Sequence, residues 1–303
     1  MPLWIPLTVL AAFFQNLRSA LQKRLAGALP PITATYVRFS FGLPVALLIL
    51  GGLALFDDAA LPQPDLRFAV FCLVGGVAQV WGTRLLVGLF AYRNFAVGTT
   101  YSKTETVQTA LFGIIVLGDR VTVGALAGIL ISLVGVMMIS LAGRGVGALG
   151  LIRSLTARPA LMGMASGTAY GVAAVCYRAA SLSFGRDDFL MPATFTLVTV
   201  LAIQTLDMTA WLAWRHPGQI KASLHAFRAS AAIGLTGALA SFGWFTAMTL
   251  QNAAYVRALG QVELVFTFMA SRFAFGERSR PVEWLGITLV IAGILVLLIW
   301  RQG

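Results

Sequence analysis

Six cations sit where cations are costly, inside long apolar runs: Arg18, Arg38, Arg84, Lys103, Arg178 and Arg257. Two acids, Glu105 and Glu263, lie in the middle of such runs, with Asp207 a borderline third. A charge within hydrocarbon costs roughly 3 kcal/mol on insertion scales, so each is a candidate functional group. Guanidinium and ammonium groups in a dry setting bind carboxylates and phosphates, whereas an isolated carboxylate neutralises a cation or carries a proton. The cations outnumber the acids, which favours an anionic or zwitterionic solute: an organic acid, an amino acid or a phosphorylated metabolite. Lys103 is the most demanding of the set, because from mid-run its stem reaches neither interface. The candidate solute ligands are therefore Lys103, Arg84, Arg18 and Arg257, with the polar neighbours Asn16, Gln261 and Tyr101. Glu105 and Glu263 are candidate coupling or charge-pairing acids.

Other chemistries are poorly served. Cys72 and Cys176 lie in apolar segments and read as packing residues, while His216 and His225 share one connection without further ligand types. No metal site and no cofactor are expected. Gly145 to Gly150 matches GxGxxG but follows an apolar helix rather than a strand, and reads as a linker. No Ser/His/Asp or Cys/His constellation is present, so an enzyme is not expected. A membrane-embedded head-group enzyme is the rival from another class.

The elements that must position these residues follow from composition. Of 303 residues, 58% are hydrophobic and only 11% charged, against roughly 25% charged in soluble domains. Lipid must be the solvent for much of the chain. The net charge of +11 is spread over the ends of apolar runs rather than concentrated on a soluble domain, so a nucleic-acid partner is not expected. A spanning helix needs roughly 20 apolar residues. Ten runs qualify, near 4–24, 32–56, 67–91, 94–117, 122–142, 159–184, 189–213, 229–250, 253–275 and 282–300. They are separated by Pro30-Pro31, Asp57-Asp58, Gly118-Asp119-Arg120, Arg186-Asp187-Asp188, His216-Pro217-Gly218 and Gly276-Glu277-Arg278. The expected fold is an all-α membrane protein of about ten transmembrane helices.

A shift of 158 positions superposes Asn94 on Asn252, Glu105 on Glu263, Gly128 on Gly286 and Gly135 on Gly293. Lys103 falls on Gln261 and Thr99 on Arg257. The domains are read as a first five-helix repeat over 1–142, a linker over 143–158 and a second repeat over 159–303. An odd number of helices per repeat inverts the second against the first, a signature of secondary transporters. In a continuous helix Lys103 shares a face with Thr99, and Glu105 stands about 200° away. The stripes Gly163-Gly167-Gly171 and Gly124-Gly128 read as close helix packing, with a homodimer face as the alternative.

The order of segments resembles the EamA-type transporters of the drug/metabolite transporter superfamily. The resemblance rests on Pro30-Pro31 followed by Arg38-Phe39, on Leu117-Gly118-Asp119-Arg120 before Gly128 and Gly135, and on Val262-Glu263-Leu264-Val265-Phe266 with Phe275-Gly276-Glu277-Arg278 before Gly286 and Gly293. It covers essentially the whole chain. Where such families carry a Trp-Gly pair in the first helix, this chain reads Phe14-Gln15-Asn16-Leu17-Arg18. The resemblance implies transport of a small molecule across a cell membrane, bacterial inner membrane included, by a monomer or homodimer. A multidrug or cationic-compound exporter of the same superfamily is the alternative. It also implies cytoplasmic termini. The charge bias points the other way, with twelve cations flanking odd-numbered connections against four flanking even ones and the termini.

Overall fold

The computed structural model describes residues 1–25, 30–56, 61–92, 95–142, 150, 153–269 and 280–300. The Asp57-Asp58 and Gly276-Glu277-Arg278 breaks and most of the 143–158 linker lie outside them. The described residues are helical, without strands. In chain order the helices are α1 Trp4–Leu25, α2 Pro31–Ser40, α3 Gly42–Phe56, α4 Leu66–Gly88, α5 Phe95–Ser102, α6 Glu105–Leu117 and α7 Val123–Leu141. There follow α8 Arg158–Leu182, α9 Leu190–Arg215, α10 Pro217–His225, α11 Phe227–Leu250, α12 Ala253–Leu259, α13 Val262–Met269 and α14 Pro281–Trp300.

Seven spans among the described residues are long and apolar enough to cross a membrane: Ile32–Leu55, α4, α7, α8, α9, α11 and α14. Their ends are set by short polar devices. Asp65 accepts from the Phe68 N–H at 2.7 Å, Asp188 from Met191 at 3.0 Å, and Thr122 Oγ1 from Ala125 at 3.1 Å. Each gives an orphan donor of a first turn its partner. Pro31 and Pro217 open α2 and α10, where a missing N–H costs nothing. Gly118, at φ 66°, ends α6 in the left-handed conformation.

Besides the break at Phe41 between α2 and α3 in the run 32–56, two runs that read as continuous helices, 94–117 and 253–275, are each divided. In the first, α5 and α6 meet at Lys103-Thr104; in the second, α12 and α13 meet at Gly260-Gln261. Both junctions are tight turns bonded over three residues. Lys103 N–H donates to Thr100 O and Thr104 N–H to Tyr101 O, each at 3.1 Å; Gln261 N–H donates to Ala258 O at 3.2 Å and Glu263 N–H to Gly260 O at 3.1 Å. Around the first junction, Ser102 and Thr104 hydroxyls bond back to Thr99 O and Tyr101 O at 2.8 and 2.7 Å. Such back-bonding competes with the regular ladder. At the second, Gly260 does the work through its low helix propensity.

The chain forms two compact units, Met1–Val77 with Cys176–Gln251 and Ala78–Val175 with Asn252–Gly303. Each unit draws on both halves of the sequence. In the first unit, Gly243 admits α1: a Cβ there would stand 2.8 Å from the Ala11 Cβ. Phe68, Phe184 and Phe195 form one cluster, with centroids 4.8 to 5.9 Å apart. Tyr177 stacks on Phe245 at 4.5 Å, and its hydroxyl donates to Gly75 O at 3.0 Å. Gln204, almost fully buried, donates to that hydroxyl at 3.3 Å. Cys72 and Cys176 are buried free thiols, as packing residues would be.

The second unit is organised by glycine. A Cβ on Gly128 would lie 2.6 Å from Gly293 O, and one on Gly135 would lie 2.6 Å from Gly286 O. The order of contacts makes α7 and α14 antiparallel. It is also reciprocal, since Gly286 and Gly293 are the residues that follow Gly128 and Gly135 by 158 positions. The α8 stripe runs along the divided helix: Gly163 abuts Gly98 in α5, Gly167 abuts the junction at Ser102 O and Glu105 N, and Gly171 abuts Thr109 in α6.

Candidate functional site

The two junctions of the second unit carry four of the charges that the sequence singles out, Lys103, Glu105, Arg257 and Glu263. Glu105 opens α6 and Glu263 lies in the first turn of α13. A carboxylate in a first turn is favoured by the helix dipole. Lys103 and Arg257 lie in or just before the turns. The pairing crosses from one divided helix to the other. Lys103 Nζ approaches Glu263 Oε1 at 3.8 Å, and Arg257 Nε approaches Glu105 Oε1 at 3.2 Å. Each acid thus takes its cation from the opposite divided helix.

Amides tie the same elements. Gln261 Nε2 donates to Thr106 Oγ1 at 3.1 Å, and Gln108 Nε2 to Thr104 Oγ1 at 2.8 Å. The Oε1 atoms of Gln108 and Gln261 are buried and receive no hydrogen bond from the described residues. These acceptors suit a donor brought in from outside the protein. Tyr101 is buried, only 5% exposed, one turn before Glu105. The four charged side chains keep between 18% and 32% of their surface. Such a site is accessible to a small polar molecule, and its balanced charges suit one bearing both signs.

The remaining expected ligands are placed elsewhere. Arg84 is exposed on α4, its guanidinium carbon 5.4 Å from the Trp81 ring centroid. Asn16 and Arg18 belong to the first unit, where Arg18 is buried at 8% exposure. There the stems of Arg18 and Arg38 both lie against Gly237, whose added Cβ would stand 3.5 Å from Arg18 Cδ and 3.2 Å from Arg38 Cγ. Arg178 is given over to structure. Its Nη1 donates to Met248 O at 2.5 Å and Gln251 O at 2.6 Å, capping the carbonyl end of α11.

Residues that the sequence did not flag also shape the site. Thr106 accepts from Gln261, and Gly167 brings the α8 backbone against the Lys103-Thr104 turn. The signal for Gly167 was present in its stripe; its address at the junction was not. Among the described residues no group of His, Cys, Asp and Glu is placed to hold a metal ion.

Comparison with known proteins bears on the whole chain. The model of the EamA-like transporter family matches residues 2–141 and 157–299. A relative from Sinorhizobium sp., named an uncharacterized transporter in the cobO 3' region, is 26% identical over 103 residues, covering 34% of this chain and 72% of that protein. A solved crystal structure described only as that of a protein superposes with a TM-score of 0.73 over 99% of each chain, at 18% identity, a likeness of fold alone. With its apolar spanning helices and a family match over nearly its full length, the chain belongs to the EamA-like transporter family, a multi-pass membrane protein that handles a small molecule.

Proposed function

We propose that this transporter moves a small anionic or zwitterionic metabolite by alternating access, using the crossed charges of its two divided helices as the solute site. The observation that carries the reading is the pair of exchanged ion pairs, Lys103 with Glu263 and Arg257 with Glu105, at turns related by 158 positions. A solute carboxylate or phosphate would compete for Lys103, the longer and more exposed pair, while a solute ammonium would meet Glu263 and the free amide oxygens. Arg84 and Tyr101 are proposed as further solute ligands in this unit, and Arg18 and Asn16 in the first unit. The four charges at the two turns sum to zero, which favours the zwitterionic half of the proposal, an amino acid above all. Glu263 is the proposed coupling acid, because a loose pair exchanges its partner most readily.

The same reading takes the chain as ten transmembrane segments in two inverted five-helix repeats, 1–142 and 159–303, working as a monomer or homodimer in a bacterial inner membrane with its termini outside. It is supported by the reciprocal contacts of α7 with α14 and by helix divisions at equivalent places in the two halves. Export of cationic compounds is the second reading, favoured by the two acids at the turns. Proteoliposome uptake against labelled organic acids, amino acids, phosphorylated metabolites and cationic dyes decides between them. Uptake of an amino acid or anion supports the proposal; movement of cationic dyes alone overturns it.

A further inference from the structure

The connection between α9 and α11 reads as a loop in the sequence but folds as a helix, α10, whose outer face is cationic and apolar at once. Lys221, Leu224 and His225 of α10 are exposed, and Arg228, exposed too, follows in the first turn of α11. On either side stand Trp214, 73% exposed, and Phe227, 60% exposed, with Leu224 at 58% between them. The guanidinium of Arg215 lies over the Trp214 ring, 4.1 Å from its centroid, so the charge and the exposed aromatic face sit together. The inner face is polar and anchored: Thr33 donates to Gln219, and Ser230 donates to Ser223 O at 2.9 Å. The helix is thus fixed against α2 and α11, and its outer face is presented outward.

Acids are absent where they would neutralise this face. None occurs in the sequence between Asp207 and Glu263, and none between residues 1 and 56. The elements packed on α10 are α2, α9 and α11, and the acid they hold is Asp207. It lies two turns before Arg215, about 12 Å along α9 at 1.5 Å per residue. Arg215, Lys221 and Arg228, with His216 and His225, therefore form a basic surface facing no acid but Asp207 among the described residues of the elements packed on it, on a protein that sits in lipid. A helix with Lys and Arg on one side and Trp, Phe and Leu beside them is built to lie in the plane of a membrane interface.

We infer that α10 and its flanks form a binding surface for anionic phospholipid headgroups, with Arg215, Lys221 and Arg228 holding the phosphates and Trp214, Leu224 and Phe227 seated among the acyl chains. Each basic residue near an anionic surface contributes about 1 kcal/mol, a factor of about five, so three give a preference of about 100-fold over a neutral lipid. The test is native mass spectrometry of the full-length protein in detergent, offered phosphatidylglycerol and phosphatidylcholine together. The wild type retains phosphatidylglycerol preferentially, and the preference collapses in Arg215→Gln/Lys221→Gln/Arg228→Gln while phosphatidylcholine retention is unchanged. Should that variant fail to fold, the wild type is measured from 0.05 to 0.5 M salt, where the preference must fall. A preference that survives the triple substitution, or that ignores salt, overturns the inference. So does displacement of the lipid by free glycerol phosphate, which would assign the charges to a soluble phosphate.

Discussion

Replacing Glu105 by Gln leaves Arg257 beside a neutral amide, and the size of the loss follows from the geometry. At 3.2 Å, two unit charges interact by about 5 kcal/mol at an effective dielectric of 20. The side chains retain 18% and 21% of their surface, so water screens part of this and the coupling expected is about 1.5–2.5 kcal/mol. The pair Lys103–Glu263 is longer, at 3.8 Å, and its lysine side chain is 32% exposed, which lowers its coupling to about 1 kcal/mol or less. The assay is a double-mutant cycle on unfolding free energy, by denaturing-detergent titration in mixed micelles, with Gln at each position singly and together. The cycle Glu105/Arg257 should give the larger coupling and Lys103/Glu263 the smaller. The cycle Lys103/Glu105, two residues apart across the first junction, should be additive within about 0.5 kcal/mol. Additivity for Glu105/Arg257, or strong coupling for Lys103/Glu105, would refute the crossed arrangement.

Other consequences are sharper in single positions. Gly128→Ala and Gly286→Ala each force apart two backbones at α7 and α14, costing about 1–3 kcal/mol, seen as a lower thermal midpoint. Gly51→Ala and Gly52→Ala, with nothing within 4 Å of the added methyl, should leave the midpoint unchanged or raise it. Arg178→Ala uncaps the end of α11 at a cost of about 2–3 kcal/mol, with the solute preference of the remaining folded protein unaltered. Tyr177→Phe removes the hydroxyl shared by Gly75 and Gln204, costing about 1–2 kcal/mol in unfolding free energy without loss of transport.

The helical segments were legible because hydropathy reports burial in lipid directly: the run near 122–142 became Val123–Leu141, and that near 282–300 became Pro281–Trp300. The divisions at Lys103-Thr104 and Gly260-Gln261 were not, because a turn that keeps three-residue hydrogen bonds leaves no polar gap in the run. Their signals were Gly260 and the hydroxyls of Ser102 and Thr104, which a continuous-helix reading treats as tolerated polar residues. The charged positions were legible one by one, since each is expensive in hydrocarbon. Their partners were not. Pairing Glu105 with Arg257 joins residues 152 positions apart, and nothing local announces it. Arg178 shows the same limit from the other side: its charge marked it as a candidate functional group, while its geometry makes it a cap. The short helix α10 was hidden by the His216-Pro217-Gly218 break signal, although Pro217 is well placed as a first helical residue.

The central claim, that the turn of the first divided helix handles the solute, rests most directly on Lys103. Uptake by proteoliposomes carrying Lys103→Ala, compared with wild type at equal amounts of folded protein, measures it. Uptake of the preferred anion or amino acid should be abolished. Full uptake in Lys103→Ala would contradict it.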